Sequence, residues 1–230
     1  MRNQASYCKD TSVGGQRAIV GSPLEIVFVV DDDVRVRRAI SELLQSWGWR
    51  TVTFGTAAEY VAYIKPDLPA CLILDLELPD INGLEFQEQL SRDVHPPIVF
   101  LTGHGDISSS VRAIKGGAVN FLIKPVPEDE LVPTVRAAID RDYIQRSARA
   151  EQAGLCRRLA TLTPREREVL PLVVSGLLNK QAAAELGISE ITLQIHRSKV
   201  MQKMQAASLA DLVRIADKLQ IPVTHSRYRA

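Results

Sequence analysis

Four short apolar runs, each ending at or beside a charged or hydroxyl-bearing residue, constrain this 230-residue chain more than any other feature. They cover residues 24–30 (LEIVFVV), 70–76 (ACLILDL), 98–102 (IVFLT) and 119–123 (VNFLI). A strand that stays apolar at almost every position is buried on both faces, as in a parallel sheet covered by helices. Residues 50–54 (RTVTF) make a shorter fifth candidate, and the segments between the runs carry a helical period. In 34–47, for example, Val36, Ile40, Leu43, Leu44 and Trp47 fall on one stripe. Five such βα repeats in about 120 residues predict a doubly wound α/β domain with a five-stranded parallel sheet. In that architecture ligands bind outside the carboxyl ends of the strands.

The strand ends hold the polar residues that matter. Asp31, Asp32 and Asp33 follow the first run, Asp75 closes the third strand, Thr102 the fourth, and Lys124 follows the fifth. All of these ends face one crevice. Clustered carboxylates repel one another and are costly unless a cation neutralises them. Oxygen ligands with open positions suit Mg²⁺, which keeps waters and accepts a phosphate oxygen. A carboxylate beside Mg²⁺ can attack phosphorus and form an acyl phosphate. Lys124 and the Thr102 hydroxyl then offer a charge and a donor to the phosphoryl oxygens. Asp33 alone reads as a helix N-cap.

The formal charge of +1 hides a split. Residues 23–140 carry 10 basic and 18 acidic side chains, whereas 141–230 carry 15 basic and 8 acidic. Opposed halves imply two modules, the second suited to a polyanion. No apolar run reaches the roughly 20 residues of a membrane span, and residues 1–22 lack the apolar stretch of a signal peptide, so that segment reads as a mobile tail. Cys8, Cys71 and Cys156 are odd in number and far apart, which argues against a disulfide framework or a zinc site. The expectation is a cytoplasmic chain with no membrane partner.

Residues 128–139 read as the last helix of the first module. Its period continues through 141–160, where no Gly/Pro/Ser-rich run occurs, so this stretch reads as a helical or semi-rigid linker with a break plausible at Gly154. Thr163-Pro164-Arg165-Glu166 then has the chemistry of a capping box. Pro171 is expected to disturb the helix that follows, and Gly176 to close it. Further helices are expected at 180–186, 190–204 and 209–219, making a small all-α unit over 161–221 with 222–230 as a tail. Ala183, Gly187 and Leu193 have helix-turn-helix spacing: a small residue at the close approach, a glycine in the turn, an apolar anchor. On the third helix Gln194, Ile195 and Ser198 share one face, while Leu193, Val200 and Met204 point to the core. His196 reads as a histidine held within the domain.

The stretches VVDDD (29–33), LILDLELPDINGLE (72–85), VFLTGHGD (99–106) and AIKGGAVNFLIKPV (113–126) resemble the receiver domain of two-component response regulators. The stretches LTPREREVL (162–170), GLLNKQAAAELGIS (176–189) and TLQIHRSKVMQKM (192–204) resemble the LuxR-type four-helix DNA-binding domain. Their order is that of the NarL/FixJ class, with wording nearest the FixJ branch. The resemblance implies Asp75 as the phosphoacceptor and Asp31, Asp32, Asp75 and the Glu77 carbonyl as ligands of Mg²⁺. It also implies Lys124 as the phosphoryl-binding cation, Thr102 and Phe121 as a switch pair, and a cis peptide bond before Pro125. Phe121 replaces a tyrosine common in some branches, which removes a hydroxyl contact. Glu77 and His104 flank the pocket, where they could tune phosphate lifetime. For the second domain it implies that Gln194, Ile195 and Ser198 enter the major groove while Lys180, Thr192, Arg197 and Lys199 meet phosphates.

The expected function is a non-enzymatic transcription regulator: phosphorylated on Asp75 by a sensor histidine kinase, dimerising, and binding double-stranded promoter DNA, with RNA polymerase downstream. Two other readings use some of the same residues. An Asp-nucleophile phosphohydrolase also needs carboxylates, Thr, Lys and Mg²⁺, with Glu77 at its acid/base position, but no lid insertion is present. A phosphorylation-independent or ligand-gated LuxR-type regulator shares the second domain and has no need of the Asp–Thr–Lys set.

Overall fold

A computed structural model of the chain describes residues 20–103 and 105–222. His104, residues 1–19 and residues 223–230 lie outside the described residues. The chain divides into two compact units, Met1–Ile144 and Gln145–Ala230.

The first unit alternates strands and helices: β1 (Ile26–Val30), α1 (Val34–Ser46), β2 (Arg50–Phe54), α2 (Ala57–Ala62), β3 (Ala70–Asp75), α3 (Gly83–Leu90), β4 (Ile98–Thr102), α4 (Ile107–Lys115), β5 (Asn120–Ile123) and α5 (Glu128–Ala160), whose later residues belong to the second unit. The strands form one parallel sheet in the order β2-β1-β3-β4-β5. Every residue of β1, β3 and β4 is buried, because each successive side chain meets a different layer of helices. Phe28, Val30, Leu72, Leu74 and Phe100 pack with Tyr60 of α2 and Phe86 of α3. Val27, Val29, Ile73, Val99 and Leu101 pack on the other face with Ile40 and Leu44 of α1 and Leu131, Val135 and Ile139 of α5. β2, at the edge, is only partly buried.

Residues 20–22 are held against this unit. The backbone N–H groups of Val20 and Gly21 donate to the Trp47 carbonyl, and Ser22 N–H donates to the Glu25 carboxylate. Glu25 is itself buried and accepts from the Trp49 indole at 3.0 Å and from Arg136 at 3.0 Å.

In the second unit α6 (Pro164–Val174), α7 (Asn179–Leu186), α8 (Glu190–Met204) and α9 (Leu209–Lys218) surround Leu170, Val173, Leu193, Val200, Met204 and Leu212. Leu155 and Leu159 of α5 join that core, so this part of the predicted linker is helix packed on its own unit, and α5 runs through Gly154 without interruption. Thr163 and Glu166 make the reciprocal capping box. Pro171 lies inside α6, which continues past it to Val174. Its missing donor removes one helical bond, while both the N–H and the hydroxyl of Ser175 bond to the Pro171 carbonyl a turn later. Gly187, at φ 64°, makes the left-handed turn between α7 and α8 that a side chain would resist. Among the described residues no helix is long and apolar enough to cross a membrane.

Candidate functional site

The parallel sheet brings the carboxyl ends of β1, β3, β4 and β5 to one edge. There the ammonium of Lys124 lies 2.6 Å from Asp31 Oδ2 and 2.7 Å from Asp75 Oδ2. Carboxylate oxygens of Asp31, Asp32 and Asp75 all stand within 4.8 Å of one another. Asp31 and Asp75 are buried and Asp32 is exposed, so the cluster opens to solvent on the Asp32 side. Burial raises the Asp31 carboxyl above its ordinary range, with the Asp75 charge adding to the rise and Lys124 opposing it. Burial alone would lower the Lys124 pKa, but hydrogen bonds and charge from Asp31 and Asp75 together hold it raised. One cation thus faces two buried anions, a charge deficit that a divalent cation would fill.

Local chemistry sets each side chain. Asp33 caps α1 by accepting from Arg35 N–H, and Asp31 Oδ1 accepts from Asp33 N–H at 2.9 Å. The Asp75 carboxylate faces the N–H of Glu77 at 3.4 Å, and Glu77 pairs as an isolated bridge with Asn82, closing the turn that starts α3. Thr102 is fully buried, and its carbonyl accepts from Lys124 N–H at 2.7 Å. The peptide bond between Lys124 and Pro125 is cis. Phe121 is half-buried, its ring centroid 6.2 Å from that of Phe100. The Glu77 side chain is exposed. Two residues at this edge were missed by the sequence reading. Arg37 donates to the carbonyls of Asp31 and Asp32, and Gly83 packs on the backbone of Asp75. A cation one turn into the helix after an acidic triplet was the available signal for Arg37.

In the second unit Leu193, Val200 and Met204 are fully buried, which leaves the opposite face of α8 outward. Gln194, Ile195, Ser198 and Lys199 are exposed there, Ile195 by 51%. Lys180, in the first turn of α7, is exposed as well. Thr192 and Arg197 are half-buried and engaged. The Thr192 hydroxyl lies 2.8 Å from that of Ser189, the α8 N-cap, and Arg197 donates to the Asn179 side chain at 3.0 Å. His196 is half-buried, and its Nδ1 has no hydrogen-bond partner among the described residues.

This combination, a Lys-bridged acidic pocket on a β2-β1-β3-β4-β5 sheet followed by a helix-turn-helix unit, defines a phosphorelay receiver joined to a DNA-binding module. Family comparison agrees: residues 27–136 match the response regulator receiver domain, and 160–216 match the bacterial regulatory proteins of the luxR family. The chain is 50% identical over 202 residues to nodulation protein W of Bradyrhizobium diazoefficiens, covering 87% of this chain and 89% of that one. It is 39% identical over 191 residues to the transcriptional regulatory protein FixJ of Azorhizobium caulinodans, covering 83% and 90%. The solved structure of the response regulator StyR superposes with a TM-score of 0.75 at 43% identity, over 84% of this chain and 98% of that chain. The chain belongs to the NarL/FixJ class of two-component response regulators. It is a transcription regulator and not an enzyme, and its family implies a histidine kinase and DNA as partners.

Proposed function

We propose that phosphorylation of Asp75 by a sensor histidine kinase controls promoter binding by α8, and the observation that carries this reading is Lys124 shared between Asp31 and Asp75. Asp31, Asp32, Asp75 and the main-chain carbonyl of Glu77 would hold Mg²⁺. The donor set, all oxygen and open to solvent at Asp32, fits that ion. When bound, it offsets the negative charge of the incoming phosphoryl group.

Asp75 attacks phosphorus through a carboxylate oxygen. The bond from phosphorus to the kinase imidazole nitrogen breaks, and an acyl phosphate forms. Lys124 leaves the carboxylates and pairs with the phosphoryl oxygens, and the Thr102 hydroxyl donates to the same group. Because the Thr102 carbonyl is already bonded to Lys124 N–H, movement of either residue is transmitted to β5 and so to Phe121. The surface of α4 and β5 then changes and pairs two copies of the chain. Two α8 helices read two half-sites of double-stranded DNA: Gln194, Ile195 and Ser198 at base edges, with Lys180, Thr192, Arg197 and Lys199 at phosphates. RNA polymerase is the downstream partner, and the compartment is the cytoplasm.

The test is sedimentation of the full chain with and without acetyl phosphate and Mg²⁺. The reading expects the wild type to shift from monomer to dimer while Asp75→Asn stays monomeric. An unchanged mass for phosphorylated wild type contradicts the dimer step.

A further inference from the structure

We infer that Arg37 is a positioning residue for the divalent-cation site: by holding the main-chain carbonyls of Asp31 and Asp32 it aims the Asp32 carboxylate at the cation. The inference rests on the reading above, in which Asp31, Asp32 and Asp75 are the cation's ligands.

The three carboxylates are not equally constrained. Asp31 is pinned by Lys124 at one oxygen and by Asp33 N–H at the other. Asp75 is pinned by Lys124. Among the described residues no hydrogen bond or ion pair holds the exposed Asp32 side chain, so its direction depends on the backbone that carries it. That backbone is held by Arg37, whose NH1 donates to Asp31 O at 2.6 Å and to Asp32 O at 3.0 Å. These are charge-assisted bonds to two successive carbonyls, which hold the peptide units on either side of the Asp32 Cα.

The neighbouring arginines do other work. Arg35 bonds to the Asp33 carboxylate at 3.0 Å, and Arg38 to Glu42 at 2.7 Å. Only Arg37 of these three reaches the carbonyls of Asp31 and Asp32, and the β2–α2 turn limits where its guanidinium can go. A Cβ placed on Gly55 would stand 3.5 Å from Arg37 NH1 and 3.6 Å from Glu59 Oε2, while Glu59 accepts from Gly55 N–H at 2.7 Å.

Charge and tether make opposite predictions. If Arg37 acts only as a nearby positive charge, removing it strengthens binding of a divalent cation. If it acts as a tether, removing it frees Asp32 and weakens binding, as loss of an outer partner of a metal ligand commonly does.

The experiment is calorimetric titration of the full-length protein with Mg²⁺, in the wild type, Arg37→Met, Arg37→Gln and Arg37→Lys, beside the rate of labelling by acetyl phosphate as a function of Mg²⁺. The tether predicts a Kd about 10-fold weaker in Arg37→Met, with most of the affinity recovered in Arg37→Lys. The loss of labelling rate in Arg37→Met is larger at limiting Mg²⁺ than at saturating Mg²⁺. Equal or tighter Mg²⁺ binding in Arg37→Met overturns the inference, and so does a lower maximal rate at unchanged Mg²⁺ affinity. If Arg37→Met does not fold, Arg37→Gln decides, since it loses the charge and keeps a donor: weaker binding supports the tether and tighter binding refutes it. A wild type that binds no Mg²⁺ removes the underlying reading and this inference with it, whereas a wild type that binds beside variants that bind equally well removes the inference alone.

Discussion

Gly83 packs directly on the main chain of Asp75: a Cβ built on Gly83 would stand 2.4 Å from the Asp75 carbonyl oxygen and 3.0 Å from Leu76 Cα. The contact arises because the turn after β3 closes on itself, Gly83 N–H donating to the Leu76 carbonyl at 2.8 Å, so that α3 starts underneath Asp75. Gly83→Ala gains about 1 kcal/mol of helix propensity. Against that, a clash with backbone cannot be relieved by a rotamer change and costs about 1–3 kcal/mol. The substitution should therefore lower the melting temperature of the first unit and slow labelling of Asp75. Tryptophan fluorescence reads this unit, since Trp47 and Trp49 both lie in it. A variant that melts and labels as the wild type does would show that the loop relaxes freely.

On α8 the exposed side chains divide by chemistry. Gln194→Ala should cost about 1–3 kcal/mol at one base position and relax preference there. Lys199→Ala should weaken all sequences alike and reduce the slope of log affinity against log salt by about one. Salt-dependent titration of both variants against selected and scrambled DNA separates these outcomes. Equal loss on both DNAs for Gln194→Ala would remove that residue from base reading.

The buried Glu166 carboxylate accepts from Lys203 at 2.6 Å and from Thr163 N–H at 2.8 Å. Lys203 above all holds its pKa below the usual carboxylate range, and the Thr163 N–H bond adds to this against the effect of burial. A carboxyl lowered on folding stabilises the unit above its unfolded pKa, and the contribution is lost as pH falls through the lower folded value. The helical unit should therefore lose stability below about pH 4.5. Glu166→Gln should flatten that acid limb and lower stability at neutral pH by about 1–3 kcal/mol. Amide hydrogen exchange at Leu193 and Val200 reports it, and the same acid dependence in wild type and variant would contradict the assignment.

How far these features were legible depends on whether a pattern or a tertiary contact carries them. β2 and β4 fall on the residues their sequence predicted, and β1, β3 and β5 are shorter by one or two residues at an end. Strands apolar on both faces leave little room for another reading, and Asp75, Thr102 and Lys124 were visible because they end or follow such runs. Gly83 was not visible, and Arg37 carried only the weak signal of a cation one turn after an acidic triplet, since their roles depend on loops folding back onto Asp31, Asp32 and Asp75. Glu25 was hidden for a similar reason, its partners Trp49 and Arg136 being distant in sequence. The later part of α5 was hard to assign because its early residues face a sheet while Leu155 and Leu159 face a helical core, so no single stripe runs along it. The effect of Pro171 stays local because one missing donor does not outweigh a helix buried through Leu170, Leu172 and Val173.

The most direct test of the account is intact mass after incubation of the full chain with acetyl phosphate and Mg²⁺, followed by borohydride reduction to map the acyl phosphate. The account predicts one added phosphoryl group on the wild type, mapped to Asp75, no addition without Mg²⁺, and none on Asp75→Asn. Full labelling of Asp75→Asn, or a wild-type label mapped to another residue, would contradict it.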